Sequence, residues 1–253
     1  MKVALVCIAK DEDHYIEEWI DYQYKLGFDK VIMYENDWRC SVERDYLEKI
    51  PWDGGNGLQM SAYTHFIKNN IEYDYATFID CDEFITLKKH KNIKEFIQEY
   101  EFVQLSMNWY IFGPNGKLKR DSKSQLTEFK YRNHDRFNTK HSHVKLILNL
   151  KELPSHFSFR DPHHTTIPSI DTNGKMFNGS LNHNGPRDVI YISHMSFRTY
   201  EDYVDKYNKG CVFRNEKPIA RISINEWKTV LESGECSEVF DDTAYKFMYE
   251  NED

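Results

Sequence analysis

Short apolar runs that end in polar residues recur along the first third of the chain. The segment from Val3 to Ala9 is continuously apolar, as expected for a strand that is buried on both faces of a parallel sheet. The segments from Lys30 to Tyr34 and from Tyr75 to Ile79 repeat this pattern. Between the first two runs, apolar residues from Ile16 onwards recur at helical spacing until Gly27. A strand, a helix and a strand in this order predict a parallel pair joined by a right-handed crossover.

The rest of the chain has less regular patterns. We expect a short helix and a glycine-rich turn over residues 41 to 57, and irregular structure over residues 151 to 188, which are rich in Pro, Gly, Asn and His. The remaining apolar patterns predict helices at Leu58 to Ile71, Ile93 to Tyr100, Thr199 to Lys209, Ile224 to Glu232 and Ala244 to Tyr249, and strands at Phe102 to Met107, Leu126 to Tyr131, Val144 to Leu150 and Val189 to Ile192.

These elements predict a single α/β domain over residues 1 to 253. Its central sheet is expected to be mostly parallel and flanked by helices, with a small antiparallel portion and with helices at the C-terminal end. A chain of 253 residues is long enough to bury the core of one such domain.

Composition and charge exclude some classes of function. The net charge of −8 argues against nonspecific nucleic-acid binding, for which a basic surface is expected. The five cysteines form no C-x-x-C pair, which indicates neither a zinc site nor a disulfide framework and favours a reducing compartment. We find no apolar run long enough to span a membrane and no cleavable signal, so we expect a soluble cytoplasmic protein. The alternative is a cytoplasmic protein that contacts a membrane peripherally through its aromatic or C-terminal helices, although the charge balance gives this contact little support.

Three carboxylates directly follow the third apolar run, at Asp80, Asp82 and Glu83. If the backbone stays extended, Asp80 and Asp82 point to the same side. Two hard oxygen ligands suit Mg²⁺ or Mn²⁺, whereas the alternative is a solvated acidic turn. Because residues 10 to 12 and 35 to 37 are polar ends of the other two strands, and ligands of open α/β sheets bind outside the carboxyl ends of strands, we expect one crevice. This convergence favours the metal site.

Motifs spread over residues 3 to 210 occur together in a fixed order. They are Ala9-Lys10-Asp11-Glu12 with Tyr15 to Ile20 and Gly27, Ile32 to Asn36, Phe78 to Phe84 with Asp80-Cys81-Asp82, Trp109 to Gly113 with Gly116, Val144-Lys145, Pro162-His163, and Ser193-His194 followed by Ser196 and Tyr200 to Lys206. Taken together, they resemble the glycosyltransferase family 92 and glycosyltransferase family 2-like group of nucleotide-sugar enzymes. This resemblance implies the Rossmann-like GT-A fold, with a nucleotide-sugar half at residues 1 to 107, an acceptor half at 108 to 210 and a helical extension at 211 to 253.

The resemblance also implies roles on the donor side. Asp82 would coordinate Mn²⁺ or Mg²⁺ on the diphosphate, and Asp80 would contact the ribose, the metal or its waters. His194 would be a further metal ligand, or alternatively a structural histidine bonded to the backbone. Lys145 would offset the diphosphate charge, or alternatively be an ordinary surface lysine. The residues expected to bind the nucleotide sugar are Ala9, Lys10, Glu12, Asn36, Asp80 and Lys145.

On the acceptor side, the resemblance implies that Trp109, Gly113 and His163 bind the acceptor. Trp109 would form a platform for the acceptor sugar or would be a core tryptophan, and for His163 we favour a role in ordering a loop. The family usually has Asn-His-Tyr where this chain has Ser193-His194-Met195, so the acceptor side matches less closely than the donor side.

An inverting reaction requires a carboxylate that removes the proton of the acceptor hydroxyl. The candidates are Glu83, Asp135, Asp161 and Asp241, of which we favour Asp161 and then Glu83.

We therefore expect a metal-dependent glycosyltransferase that moves a hexose from a nucleotide diphosphate sugar, preferably a UDP-sugar, to a glycan or lipid-linked acceptor with inversion, as in polysaccharide biosynthesis. One alternative is a metal-dependent nucleotidyltransferase or phosphotransferase, because paired acids also serve phosphoryl chemistry. Such enzymes generally have a glycine-rich phosphate loop after the first strand, and Ala9-Lys10-Asp11-Glu12 is not one. Gly54-Gly55-Asn56-Gly57 lacks the Lys-Ser/Thr ending of such a loop and does not directly follow an apolar strand. A second alternative is a noncatalytic carbohydrate-binding protein with the same fold.

Overall fold

A computed structural model describes residues 1–134, 142–209, 224–233 and 236–250. The strands are β1 (Val3–Ala9), β2 (Lys30–Glu35), β3 (Leu47–Pro51), β4 (Tyr75–Phe78), β5 (Glu83–Leu87), β6 (Gln104–Ile111), β7 (Tyr131–Arg132), β8 (Val144–Asn149), β9 (Phe159–Asp161), β10 (His164–Thr165), β11 (Ser169–Ile170), β12 (Met176–Phe177), β13 (Ile190–His194) and β14 (Val239–Phe240). The helices are α1 (Ile16–Lys25), α2 (Gln59–Asn69), α3 (Ile93–Glu99), α4 (Gln125–Glu128), α5 (Tyr200–Lys209), α6 (Ile224–Ser233) and α7 (Thr243–Tyr249).

Within these residues, ten strands form one large sheet. Its order is β12-β11-β6-β8-β4-β1-β2-β3, and β13 branches from β6 and pairs with β5. The four strands β3, β2, β1 and β4 are mutually parallel, whereas β8 runs antiparallel to both β4 and β6. The predicted α/β class, with a mostly parallel Rossmann-like sheet flanked by helices and an antiparallel portion, is confirmed.

Both faces of β1 are buried, which explains its unbroken apolar sequence. Val3, Leu5 and Cys7 face a core built with α1 and α3, and the alternate residues Ala4 and Val6 face a second core built with α2. The strand is therefore fixed at the centre of the molecule, and its carboxyl end is fixed with it.

Two local predictions are wrong. The segment 41 to 57 contains the edge strand β3 instead of a helix, and β3 pairs in parallel with β2. Arg44 binds the carboxylate of Asp21 on α1 at 2.9 Å, and Tyr46 binds the same carboxylate at 2.7 Å. These contacts hold the preceding segment against α1 and bring Leu47 into register with β2.

The strand predicted at Leu126 to Tyr131 is replaced by the short helix α4 and the two-residue strand β7. The Ser124 hydroxyl accepts a hydrogen bond from the Thr127 N–H at 3.0 Å and caps α4. A one-turn helix leaves almost no periodic signal, which is why a strand fits the sequence equally well. The segment 151 to 188, predicted to be irregular, contains four strands of two or three residues each.

The segment after residue 235 packs onto the body of the protein. β14 pairs with β7, and Tyr249 on α7 donates a hydrogen bond to Glu18 on α1 at 2.6 Å. A Cβ atom on Gly113 would lie 2.5 Å from the Cys236 carbonyl oxygen, so this close approach requires glycine. In the part of the chain that the structure describes, no helix is long and apolar enough to cross a membrane.

Candidate functional site

The carboxyl ends of β1, β2 and β4 open onto one crevice, as their register requires. Three residues at the edges of this crevice have a strained backbone: Asp11, Asp37 and Arg198 have φ values of 52°, 50° and 45°. Residues other than glycine rarely adopt such values unless their surroundings fix them, and they concentrate at functional sites.

Asp80, Cys81 and Asp82 lie in a turn between β4 and β5. The Glu83 N–H donates to the Asp80 carbonyl at 3.1 Å, so the backbone does not stay extended here, and the condition under which Asp80 and Asp82 would point to the same side is not met. The turn gives Asp80 and Asp82 different partners.

Asp80 faces the sheet. Its two carboxylate oxygens accept hydrogen bonds from Lys145 and from Gln59, each at 2.8 Å. Burial disfavours its charged form, but Lys145 outweighs this cost and lowers the pKa of Asp80 below its ordinary value. Lys145 on β8 is fully buried, so it is not the surface lysine considered as an alternative. Burial opposes its charge, yet Asp80 and Glu83 raise its pKa and keep it protonated.

Glu83 lies directly beneath Asp80 and is fully buried. Its Oε2 atom accepts the Asp80 N–H at 2.9 Å and lies 3.1 Å from Lys145 Nζ. Burial raises the pKa of Glu83 to about 8 despite the nearby ammonium. A carboxyl group without access to the crevice is placed to support the turn, and it cannot reach an acceptor hydroxyl in this arrangement.

Asp82 faces the crevice. Its Oδ2 atom accepts a hydrogen bond from Lys206 on α5 at 2.8 Å, and its Oδ1 atom lies 3.6 Å from His194 Nε2. Burial opposes ionisation, but Lys206 and His194 hold the pKa of Asp82 well below its usual range. Burial also lowers the pKa of His194, so its ring is neutral near pH 7. The Nδ1 atom of His194 is buried and has no hydrogen-bond partner among the described residues, unlike that of a structural histidine bonded to the backbone.

Glu12 forms the opposite wall of the crevice. Its carboxylate pairs with Arg198 at 3.0 Å and with Lys209 on α5. Although burial disfavours the charge, these two cations lower the pKa of Glu12. Arg198 also donates to the Cys81 carbonyl at 3.2 Å and to Gln125 at 2.9 Å, which ties the acidic turn to the wall.

The other residues expected to bind the nucleotide lie at the same edge. The Ala9 carbonyl accepts the Asn36 N–H at 2.8 Å, and the Asn36 side-chain amide donates to the Gly55 carbonyl at 2.7 Å. Lys10 donates to Asn56 at 3.1 Å. The glycine-rich turn is thereby fastened to the ends of β1 and β2.

An aromatic cluster borders the crevice on the His194 side. Trp109 is partly buried, and its ring centroid lies 4.3 Å from that of His194 and 5.1 Å from those of His143 and His163. The His163 Nδ1–H donates to the Val144 carbonyl at 2.9 Å, and burial, assisted by Lys145, lowers the pKa of His163 to about 3. His163 is therefore neutral and connects the loop after β9 to β8.

The remaining candidates for the general base lie in different surroundings. Asp161, at the end of β9, is partly exposed, and one of its oxygens accepts the His163 N–H at 2.7 Å. Asp241 is bound by Arg132 at 2.7 Å and by the Tyr191 hydroxyl at 3.0 Å, next to α7. Asp135 lies outside the described residues.

The donor atoms at the crevice fit a divalent cation whose ligands come partly from the protein and partly from a bound substrate. Among the described residues, no three His, Cys, Asp or Glu side chains are close enough together to hold a metal ion. Asp82 and His194 supply one ionised carboxylate and one neutral imidazole side by side. Mg²⁺ and Mn²⁺ commonly bind to one or two protein ligands and complete their shell with water and phosphate oxygens.

A cavity of about 490 Å³ lies next to these groups. Its lining includes Glu12, Asp82, Arg120, Arg198, Lys206 and Lys209. Carboxylates that can bind a metal ion and cationic side chains that can bind phosphate thus face the same cavity, as the binding of a metal–phosphate complex requires.

Comparisons with known proteins give only distant likenesses. No protein-family model and no curated protein matches the chain. Among solved structures, HddC from Yersinia pseudotuberculosis is 12% identical over 58% of this chain and 77% of that chain, with a TM-score of 0.35. HddC in complex with GMP-PN is 10% identical over 77% of this chain and 93% of that chain, with a TM-score of 0.39. The fragment 1-349 of S. aureus TarS is 17% identical over 59% of this chain, which spans 47% of that fragment, with a TM-score of 0.33. Likenesses of this size carry no argument about function.

Sequence reasoning missed the cationic partners of the crevice, namely Arg198, Lys206 and Lys209. Arg198 belongs to an irregular loop and has no periodic signal. The two lysines are three residues apart and therefore share one side of α5, which is the signal that could have identified them.

Proposed function

We propose that the crevice binds a nucleotide diphosphate sugar together with Mn²⁺ or Mg²⁺ and transfers the sugar to an acceptor hydroxyl. The observation that supports this most strongly is the pair of Asp82 and His194, ionised and neutral respectively, beside a cavity whose lining includes four cationic side chains. This combination suits a cation and a polyphosphate that bind together. The motif resemblance suggests that the donor is a UDP-hexose and that the product is part of a glycan or glycolipid.

In the proposed complex, Asp82 and His194 hold the cation, and Asp80 lies on the sheet side of it. A bound divalent cation neutralises charge that develops on a diphosphate leaving group. Asp80 is kept ionised and oriented by Lys145 and Gln59, so it can accept hydrogen bonds from ribose hydroxyls or metal-bound water. Glu12 and Asn36 line the side on which the nucleoside would lie.

For the transfer step, we propose inversion with Asp161 as the base. The acceptor oxygen forms the new bond to the anomeric carbon while the bond from that carbon to the diphosphate oxygen breaks. The electron pair leaves with the nucleoside diphosphate, and the acceptor proton moves to the Asp161 carboxylate. We also propose that the exposed part of Trp109, whose ring packs edge-on to His194, contacts the sugar ring of the acceptor.

A panel of nucleotide sugars with Mn²⁺ or Mg²⁺ tests this proposal through the release of nucleoside diphosphate. We expect slow metal-dependent hydrolysis of one class of UDP-sugar and faster release with the correct acceptor. Turnover of a nucleoside triphosphate with a sugar 1-phosphate would instead indicate a nucleotidyltransferase. Binding without any turnover would indicate a noncatalytic carbohydrate-binding protein.

The variant Asp161→Asn tests the assignment of the base. We expect it to lose transfer while binding of the nucleotide sugar, measured by calorimetry, stays unchanged. If binding is lost as well, Asp161 has a structural role. Asp188→Asn, at an exposed position, is the matched control.

A further inference from the structure

Helix α5 places two lysines against the acids of the crevice. Lys206 binds Asp82, 124 residues earlier in the chain, and Lys209 binds Glu12, 197 residues earlier. The Lys209 ammonium also donates to the Lys10 carbonyl at 2.8 Å, at the carboxyl end of β1. One helix therefore neutralises acids on both walls of the crevice.

The pair between Lys206 and Asp82 lies at the open side of the site. The Lys206 side chain is 37% exposed, whereas that of Asp82 is 10% exposed. The other Asp82 oxygen faces His194, so the ammonium occupies the carboxylate oxygen on the side of α5.

Arg198, which joins the Glu12 wall of the crevice to the acidic turn, differs from Lys206 in its mobility. It is only 10% exposed and is bound to Glu12, Gln125 and the Cys81 carbonyl, which fixes its position. Lys206 pairs with Asp82 through a flexible four-carbon stem, so its ammonium can turn into the cavity when the Asp82 carboxylate binds another cation.

We propose that Lys206 is an exchangeable cation: it holds Asp82 while the site is empty, and a divalent metal displaces it onto the diphosphate of the nucleotide. This inference rests on the proposed function, which it deepens by adding a phosphate-binding residue. A divalent cation at Asp82 would repel an ammonium bound to the same carboxylate. A diphosphate in the cavity offers the released ammonium new oxygen partners beside Arg198 and Lys209.

The first test is the affinity of the nucleotide-free protein for Mn²⁺, measured by calorimetry. Lys206→Met removes the competing charge and keeps the length of the side chain, so it should bind Mn²⁺ about five-fold more tightly, the factor for an ion pair worth about 1 kcal/mol. Lys206→Arg should restore the weaker affinity.

Lys94→Met is the control, because Lys94 pairs with Asp29 at 2.7 Å and these side chains are 34% and 35% exposed. Asp29 accepts the Val3 N–H at the amino end of β1, whereas the crevice lies at the carboxyl end of this strand. We expect Lys94→Met to leave the Mn²⁺ affinity unchanged. Equal Mn²⁺ affinities of wild type and Lys206→Met would overturn the proposal.

The second test is the affinity for UDP at saturating Mn²⁺. Lys206→Met should bind UDP about five-fold more weakly, because a phosphate contact is lost. An unchanged UDP affinity would overturn the transfer of Lys206 to the diphosphate. If UDP binds without Mn²⁺ and this binding requires Lys206, the lysine takes the place of the metal, and the proposed displacement of Lys206 by a metal is wrong.

The failure of the two proposals can be distinguished. Wild-type protein that binds no UDP with or without Mn²⁺ contradicts the proposed function. Wild-type protein that binds UDP with Mn²⁺, together with a Lys206→Met variant that behaves identically in both titrations, contradicts the exchange alone.

Discussion

Asp80 and Asp82 are two residues apart, and each pairs with a lysine at 2.8 Å, but the two lysines differ in almost every other respect. Lys145 comes from β8 in the middle of the sheet and is fully buried. Lys206 comes from α5 and is 37% exposed. The acidic turn is thus held on one side by the core and on the other side by a helix at the edge of a cavity.

This difference indicates that the two aspartates of one short motif have different roles, one in the structure of the turn and one in ligand binding. Lys145 is fully buried, so its charge depends on the carboxylates beside it, and its removal leaves Asp80 and the buried Glu83 without their shared cation. Lys206 is 37% exposed and Asp82 borders the cavity, so water can replace their contact, which therefore contributes little to stability and can be exchanged. We therefore assign the Lys145 side to the positioning of the turn and the Lys206 side to ligand binding.

The largest effect is expected from Lys145→Met. The Asp80 carboxylate loses its charge-assisted hydrogen bond to Lys145. Because the Asp80 side chain is 35% exposed, water replaces part of this contact, and we expect the free energy of unfolding at pH 7 to fall by about 2 kcal/mol. Urea denaturation followed by circular dichroism measures this change. A loss below about 1 kcal/mol would place Lys145 with the exposed pairs and remove the contrast.

A second effect concerns the pH dependence of stability. The pKa of Glu83 is raised to about 8 in the folded protein from an ordinary value of 4.5, so the folded protein binds a proton that the unfolded chain has released between these pH values. The stability from this group is fully present below pH 4.5 and is lost as pH rises towards 8, with a slope of at most about 1.4 kcal/mol per pH unit.

Glu83→Gln should remove this slope, because its amide does not titrate. Denaturation series at several pH values between 4.5 and 8 measure the difference between the variant and the wild type. Parallel pH profiles of the two proteins would show that Glu83 is ionised in the folded state and would contradict the burial argument.

The smallest effect on stability is expected from Lys206→Met. Since Lys206 is partly exposed and the cavity lets water reach the Asp82 carboxylate, we expect a change of less than about 1 kcal/mol in the free energy of unfolding. Lys94→Met should give a change of similar size. A loss of stability as large as that of Lys145→Met would show that the contact of α5 with Asp82 stabilises the fold, and that both lysines hold the acidic turn in place.

The sequence predicted the elements with strong local signals. The unbroken apolar runs of β1 and β2 suit buried parallel strands and few other structures, and the acids after β4 were expected at the mouth of the sheet. The five-residue strand β3 and the four-residue helix α4 were missed, because such short segments fit either periodicity.

The partners of the acids could not be predicted from local patterns. The contact of Lys145 with Asp80 spans 65 residues, and that of Lys206 with Asp82 spans 124 residues. Which lysine becomes buried and which stays at the cavity depends on the tertiary arrangement of β8 and α5. The same applies to Glu83, whose adjacent position in the sequence gives no sign that the turn directs it into the core.

The most direct test of a metal and diphosphate site is a calorimetric titration of UDP into the protein with Mn²⁺ and then with EDTA, in the wild type and in Asp82→Asn. The asparagine keeps the shape of the side chain but removes the charge that the cation requires. We predict that Mn²⁺ strengthens UDP binding in the wild type and in the surface control Asp188→Asn, and that this strengthening is absent in Asp82→Asn. Metal-dependent UDP binding that persists in Asp82→Asn would contradict the account.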